Sequence, residues 1–158
     1  MTRLRQTFGL ALSIAACLVA AGFESLLAYS SIGWYARLLK PVWTPPNWLF
    51  GLVWLLLFLA MAVAAWLVWR RVGSLRGASA LNLFGVQLVL NVCWSAIFFG
   101  ARSPGTAFAV ILLLCLAILT TTIAFLQHSR STAWLMLPYL LWVAYTAALN
   151  FSIWRLNA

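Results

Sequence analysis

Apolar residues in this chain run in five long blocks, at about 7–29, 47–69, 79–100, 105–127 and 132–154, separated by short polar breaks. A helix rises about 1.5 Å per residue, so about twenty apolar residues cross a ~30 Å hydrocarbon core. Each block is long enough. Backbone polar groups in lipid must be satisfied within the segment, which makes the blocks helices. The alternating ten-residue pattern of a membrane barrel is missing from the sequence. The pattern predicts an all-α membrane protein, a bundle of five transmembrane helices forming one domain over residues 1–158. The breaks are "SSIGWYARLLKPVWTPP", "RRVGSLRG", "ARSPG" and "HSRS", the last two being tight turns.

Polar residues inside the blocks fall on defined faces. In the third block Gln87, Asn91, Trp94 (or Ser95) and Phe98 share one helical stripe; in the fifth, Tyr139, Trp142, Thr146 and Asn150 share another. Phe50, Trp54 and Phe58 follow at i, i+4 and i+8 in the second block. Amides facing lipid are costly, so Gln87, Asn91 and Asn150 are expected to face the bundle interior. The amides alone read as interhelical glue. Three stripes carrying indoles, phenols and amides together suit an apolar small-molecule pocket with a few placed hydrogen-bonding groups. Of the ten tryptophans, Trp34, Trp43, Trp48, Trp69, Trp134 and Trp154 lie near block ends and suit an interfacial belt, Trp66 fits either place, and Trp54, Trp94 and Trp142 lie deeper.

Composition agrees with a membrane setting. The chain is 66% hydrophobic and 7% charged, with a mean hydropathy of +1.04. Soluble domains carry about 25% charged residues. The net charge of +9 comes from ten Lys/Arg against the single acid Glu24. These cations are scattered between apolar runs and read as topology signals, not as a nucleic-acid surface. Arg3, Arg5, Arg70, Arg71, Arg76 and Arg130 fall on the side of the N-terminus, and Arg37, Lys40, Arg102 and Arg155 on the other. The positive-inside rule then puts the N-terminus in the cytoplasm. The first block exceeds a signal-peptide core of about 7–15 residues and reads as a retained span. Helical spans favour an inner membrane.

Conventional catalysis lacks its parts. With one Glu, no Asp and one His, the sequence offers no converging acid–base pair and no metal set. His128 reads as a solvated turn residue, and Cys17, Cys93 and Cys115, without CxxC spacing, read as buried free thiols. Glu24 has two readings: a carboxylate within a turn or two of the interface that reaches water, or a proton-coupling group of an exporter of amphipathic compounds.

The stretch "KPVWTPPNWLFGLVW", residues 40–54, is unlike the rest. Its prolines fix φ and hold the preceding residues extended. Thr44 before Pro45 and Pro46 reads as the N-cap of the second helix. A stiff loop of this kind would hold Tyr35 and Trp43 over the bundle as an aromatic cover.

With these features the sequence closely resembles the TspO/MBR family, the tryptophan-rich sensory proteins related to the translocator protein, or peripheral benzodiazepine receptor. "WYARLLKPVWTPPNWLF" resembles the family's first-loop motif, "QLVLNVCWSAIFFG" its third-helix motif, and "PYLLWVAYTAALNFSIWRLN" its fifth. The resemblance implies a five-helix bundle, a homodimer, and a cavity beneath the first loop for porphyrins, haem and synthetic isoquinoline carboxamide or benzodiazepine ligands, with no cofactor required. Carried over, the ligand contacts would be Tyr35, Trp54, Asn91, Trp94, Trp142 and Thr146. It further implies a role in sensing, transport or handling of tetrapyrroles under stress, with light-dependent breakdown of protoporphyrin IX in some members and the outer membrane as the location of some. Trp54 and Trp142 match the tryptophans implicated in that breakdown. Two positions depart from the family pattern. Phe151 stands where the C-terminal sterol motif has Tyr, and Thr146 stands where Ala is common, which is expected to alter affinity for bulky synthetic ligands.

Overall fold

The computed structural model describes residues 3–76 and 78–158. Met1, Thr2 and Gly77, which belong to the expected N-terminal segment and second break, lie outside the described residues, as do the side chains of residues 72, 74–76 and 78, including Arg76 of the charge count. The described chain is six α-helices and one π-helical turn: α1 (Arg3–Ser30), α2 (Ile32–Arg37), α3 (Asn47–Arg76), α4 (Ala78–Ser95) with its π-helical turn Ala96–Gly100, α5 (Pro104–Leu126) and α6 (Arg130–Leu156). Five stretches are long and apolar enough to cross a bilayer: Arg3–Ser30, Asn47–Arg71, Ser79–Gly100, Pro104–Leu126 and Arg130–Leu156. The chain is therefore a multi-pass, all-α integral membrane bundle.

The helices pack as a ring in the order α1, α3, α6, α5, α4, and the ring closes more sparsely between α4 and α1. Small residues bring α1 against α3. Ala62 and Ala64 are fully buried, and the Ser13 hydroxyl donates to the Ala62 carbonyl at 2.7 Å. Ala20 of α1 is buried as well, another small residue on an inward helix face. Gly9 allows the closest approach, since a Cβ there would stand 2.4 Å from the Trp69 ring. Trp66 on α3 reaches back to α1, its Nε1 donating to the Gln6 carbonyl at 2.9 Å. At the far end of α3, Gly73 leaves the helix at φ 73°, a conformation that costs glycine little.

Three expectations change. Thr44 does not cap α3. Its hydroxyl and its N–H both donate to Pro41 O, closing a turn, while Pro46 O accepts from Leu49 and Phe50 N–H at the true helix start. The two prolines hold that stretch extended, so the helix begins later than the Thr-Pro pattern suggests. The cysteines are free, but only Cys17 is buried; Cys93 is exposed on the outside of the bundle and Cys115 half-buried. Glu24 does not reach water at an interface, because it is buried on the inward face of α1 with Cys17 and Ala20.

Candidate functional site

The third span ends in a device that periodicity alone does not show. After Ser95 the α-helix widens into the π turn, with Ala101 N–H donating to Ala96 O at 2.9 Å and Ser103 N–H to Ile97 O at 3.1 Å. Such turns sit frequently at functional sites. Here the turn sets Phe98 and Phe99 edge to face, centroids 4.9 Å apart, and aims both toward α2. Phe98 meets Trp34 and Phe99 meets Tyr35 at 5.8 and 6.0 Å between centroids. The Ser31 hydroxyl donates to Phe99 O at 2.8 Å and ties the α1–α2 junction to the turn.

The first loop is fastened at three points. Lys40 curls back so that its ammonium donates to Tyr35 O at 2.7 Å and Leu38 O at 2.9 Å, capping α2, and it lies 4.8 Å from the Tyr35 ring centroid. Asn157, just past α6, pairs with the Leu39 backbone twice, accepting from its N–H and donating to its carbonyl, both at 2.9 Å. The Tyr145 hydroxyl donates to Trp43 O at 2.9 Å, and the Trp43 ring packs edge-on against Tyr145. Burial, and next the neighbouring Tyr145, raise the pKa of the Tyr35 phenol above its ordinary value. It stays a neutral hydrogen-bonding group at the cavity wall.

Beneath this loop lie two adjoining cavities of about 270 and 280 Å³. The first is walled by Tyr29 of α1, Tyr35 of α2, Asn47 and Phe50 of α3, Trp94, Phe98 and Phe99 of α4, and Thr146, Leu149, Asn150 and Ile153 of α6. The second reaches inward between α1, α3 and α4, past Glu24, Trp54, Phe58 and Ser95. Both share Ser25, Ala28, Phe50, Gly51, Trp94 and Phe99 as walls. The indoles of Trp54 and Trp94 stack at this boundary, centroids 6.0 Å apart and planes 23° from parallel.

Of the residues singled out from sequence, Tyr35, Trp94, Thr146 and Asn150 line the first cavity, and Trp54 and Trp94 line the second. Trp43, Gln87, Asn91, Tyr139 and Trp142 line neither. Trp43 is 44% exposed and leans on Tyr145 of α6. Trp142 packs on Phe50 and Tyr145, which sets it behind the wall. Gln87, Asn91 and Tyr139 are fully buried; Gln87 Nε2 faces the Met61 sulfur, whereas both polar atoms of Asn91 and the Tyr139 hydroxyl have no protein partner. Asn150 is the best-connected amide. It accepts from Trp94 Nε1 at 3.0 Å and donates to Pro104 O at 2.7 Å, joining α4, α5 and α6. The Thr146 hydroxyl turns back onto Trp142 O at 2.8 Å, so it offers the cavity its methyl more than its oxygen. Sequence reasoning missed Ser25, Ala28, Tyr29, Asn47 and Phe99, which belong to helix ends where no polar stripe marks a face.

Comparison with known proteins follows the same lines. The model of the TspO/MBR family matches residues 13–155. The chain is 44% identical over 126 residues to the human translocator protein, covering 78% of this chain and 75% of that protein. It is 39% identical over 158 residues to the tryptophan-rich protein TspO of Chlorobaculum tepidum, covering 97% and 98%. It is 37% identical over 134 residues to protein CrtK of Rhodobacter capsulatus, covering 82% and 81%. The family model's match runs through the first-loop, third-span and fifth-span segments that build the cavity walls, and with these relatives it shows that the chain belongs to the TspO/MBR family.

Proposed function

We propose that this protein binds a tetrapyrrole, protoporphyrin IX or haem, in the double cavity beneath the first loop, and serves in sensing, moving or processing it. The observation that carries the reading is the wall itself: Trp94, Phe50 and Phe99 bound both cavities, Trp54 stacks on Trp94 and bounds the second, and their rings are flat apolar faces. Such faces suit a large planar ring, while Asn47 and Tyr35 in the lining of the first cavity suit its polar edge. Among the described residues the lining holds no His, Cys or Met, so haem iron would find the phenols of Tyr29 and Tyr35 and the Glu24 carboxylate as protein ligands. The same walls suit synthetic isoquinoline carboxamide and benzodiazepine ligands, which are aromatic and nearly uncharged.

The test is an absorbance titration of protoporphyrin IX into detergent-purified protein, followed at the Soret band, with Trp54→Phe and Trp142→Phe alongside. A saturable one-site shift, weakened most in Trp54→Phe, is expected. A linear response identical in all three proteins means partition into the micelle and overturns the reading.

A second reading rests on the Trp54–Trp94 pair. A stacked indole at the wall of a porphyrin site is placed to pass one electron to the excited ring, giving an indole radical cation and a porphyrin radical anion; with dioxygen from solution as the oxidant that opens the ring, this fits light-driven porphyrin breakdown with Trp54 as donor. Illumination of the bound complex should give products with the wild type and markedly less with Trp54→Phe at equal occupancy. Equal turnover would sink this reading. We further propose a homodimer in an inner membrane, N-terminus toward the cytoplasm; cysteine labelling from either side of sealed vesicles tests the orientation.

A further inference from the structure

The inner cavity differs from the outer one in a single respect that changes its chemistry. Glu24, the only acidic residue of the chain, is 8% exposed and lines this cavity, and its Oε1 has no hydrogen-bonding partner. Among the described residues no Lys, Arg or His lines the cavity. A carboxylate so placed is stable in its ionised form only beside a positive partner, because a buried charge must be paired. The described lining supplies none, and five of the other lining residues are aromatic: Trp54, Phe58, Phe50, Trp94 and Phe99. A carboxylate set among aromatic faces is the chemistry that recognises an organic cation, with the charge at the acid and the cationic methyl or methylene groups against the rings.

The geometry points to the inner cavity as a binding site for a small hydrophobic organic cation, an aromatic amine or quaternary ammonium compound, held by Glu24. The cavity, at about 280 Å³, accommodates one aromatic ring with a substituted nitrogen. Ser25 and Ser95 in the same lining offer hydroxyl oxygens to an N–H. The inference does not rest on the tetrapyrrole reading, because it concerns only the wall around Glu24 and a ligand of opposite charge. Failure of either leaves the other standing.

The experiment is equilibrium dialysis of benzyltrimethylammonium against the detergent-solubilised protein and against protein-free micelles, with its neutral carbon counterpart neopentylbenzene run beside it. Saturable one-to-one binding of the cation is expected, at least about tenfold tighter than any binding of the neutral compound. Glu24→Gln should lose it by a similar factor, and Glu24→Asp should retain most of it. Far-UV circular dichroism establishes that the Gln variant is folded; if it is not, the cation-to-neutral ratio on the wild type decides. Equal binding of both compounds, equal binding by a folded Glu24→Gln, or displacement by an equal concentration of sodium would each overturn the assignment.

Discussion

The α5–α6 seam and the junction of α1 with α3 and α4 draw on a similar apolar repertoire, yet the first is solid and the second hollow. Along α5 the buried residues Ala107, Ile111, Leu114, Ile118, Thr121 and Phe125 recur at alternating intervals of four and three, and α6 answers with Thr132, Met136, Tyr139 and Val143. That is the spacing of a knobs-into-holes interface. No α5 residue lines either cavity. Buried positions of α1 are only Cys17, Ala20 and Glu24, two of them small and one a carboxylate. A helix that brings little volume inward leaves space opposite the large rings of Trp54 and Trp94. The ligand site thus arises where one helix withholds volume, and the seam is the frame that keeps the remaining helices in place.

Mutations that exchange the two characters should separate them. The largest effect is expected for Leu114→Ala, fully buried in the seam, at about 2–5 kcal/mol of stability. Unfolding in detergent would show it as a clear fall in midpoint, and a loss below ~1 kcal/mol would mean the seam is not close-packed. Asn150→Ala comes next, at about 1–3 kcal/mol, because it strips the partners of Trp94 Nε1 and Pro104 O together. It joins frame to cavity, so unfolding midpoint and porphyrin affinity should fall together; a change in one alone would separate the two regions more sharply.

Ala28→Leu tests the hollow side, since Ala28 walls both cavities. Porphyrin affinity should drop about tenfold while stability moves by less than ~1 kcal/mol, the reverse of the Leu114 pattern. Unchanged affinity in a Soret titration would move the site elsewhere. The smallest effect is expected for Asn157→Ala, which removes the paired bonds to Leu39 at the cost of about 1 kcal/mol locally. Hydrogen exchange should quicken at the Leu39 amide and leave the α5–α6 seam untouched. Exchange that quickens throughout would show loop and frame to be one cooperative unit.

Much of the frame was legible in the chain. Block length dictated five spans because bilayer thickness and helix rise leave little freedom. The stripes Gln87–Asn91–Trp94–Phe98 and Tyr139–Trp142–Thr146–Asn150 were readable because an amide facing lipid is costly, and all except the half-buried Trp142 are buried. Less of the site was legible. Periodicity places a residue on a face, but it does not distinguish a face that meets a neighbour from one that meets a cavity. Asn91 and Trp94 share a stripe, yet only Trp94 lines the cavities. The cap of α3 was misplaced for a related reason. Thr44 has the chemistry of an N-cap, but its hydroxyl is taken by the Pro41 carbonyl in a turn that only the folded loop makes.

The sequence by itself determined the medium, the number of crossings, the stiffness of the first loop and the inward faces, since each follows from local chemistry and the cost of polar groups in lipid. The tertiary structure alone decided where the space lies. The hollow depends on α1 being thin where α3 and α4 are broad, on the π turn that swings Phe98 and Phe99 toward α2, and on the long-range clamp of Asn157 on Leu39. It also decided that Glu24 points inward at a cavity and not outward at water. These are relations between segments far apart in the chain, and close packing settles them only when all five helices are assembled.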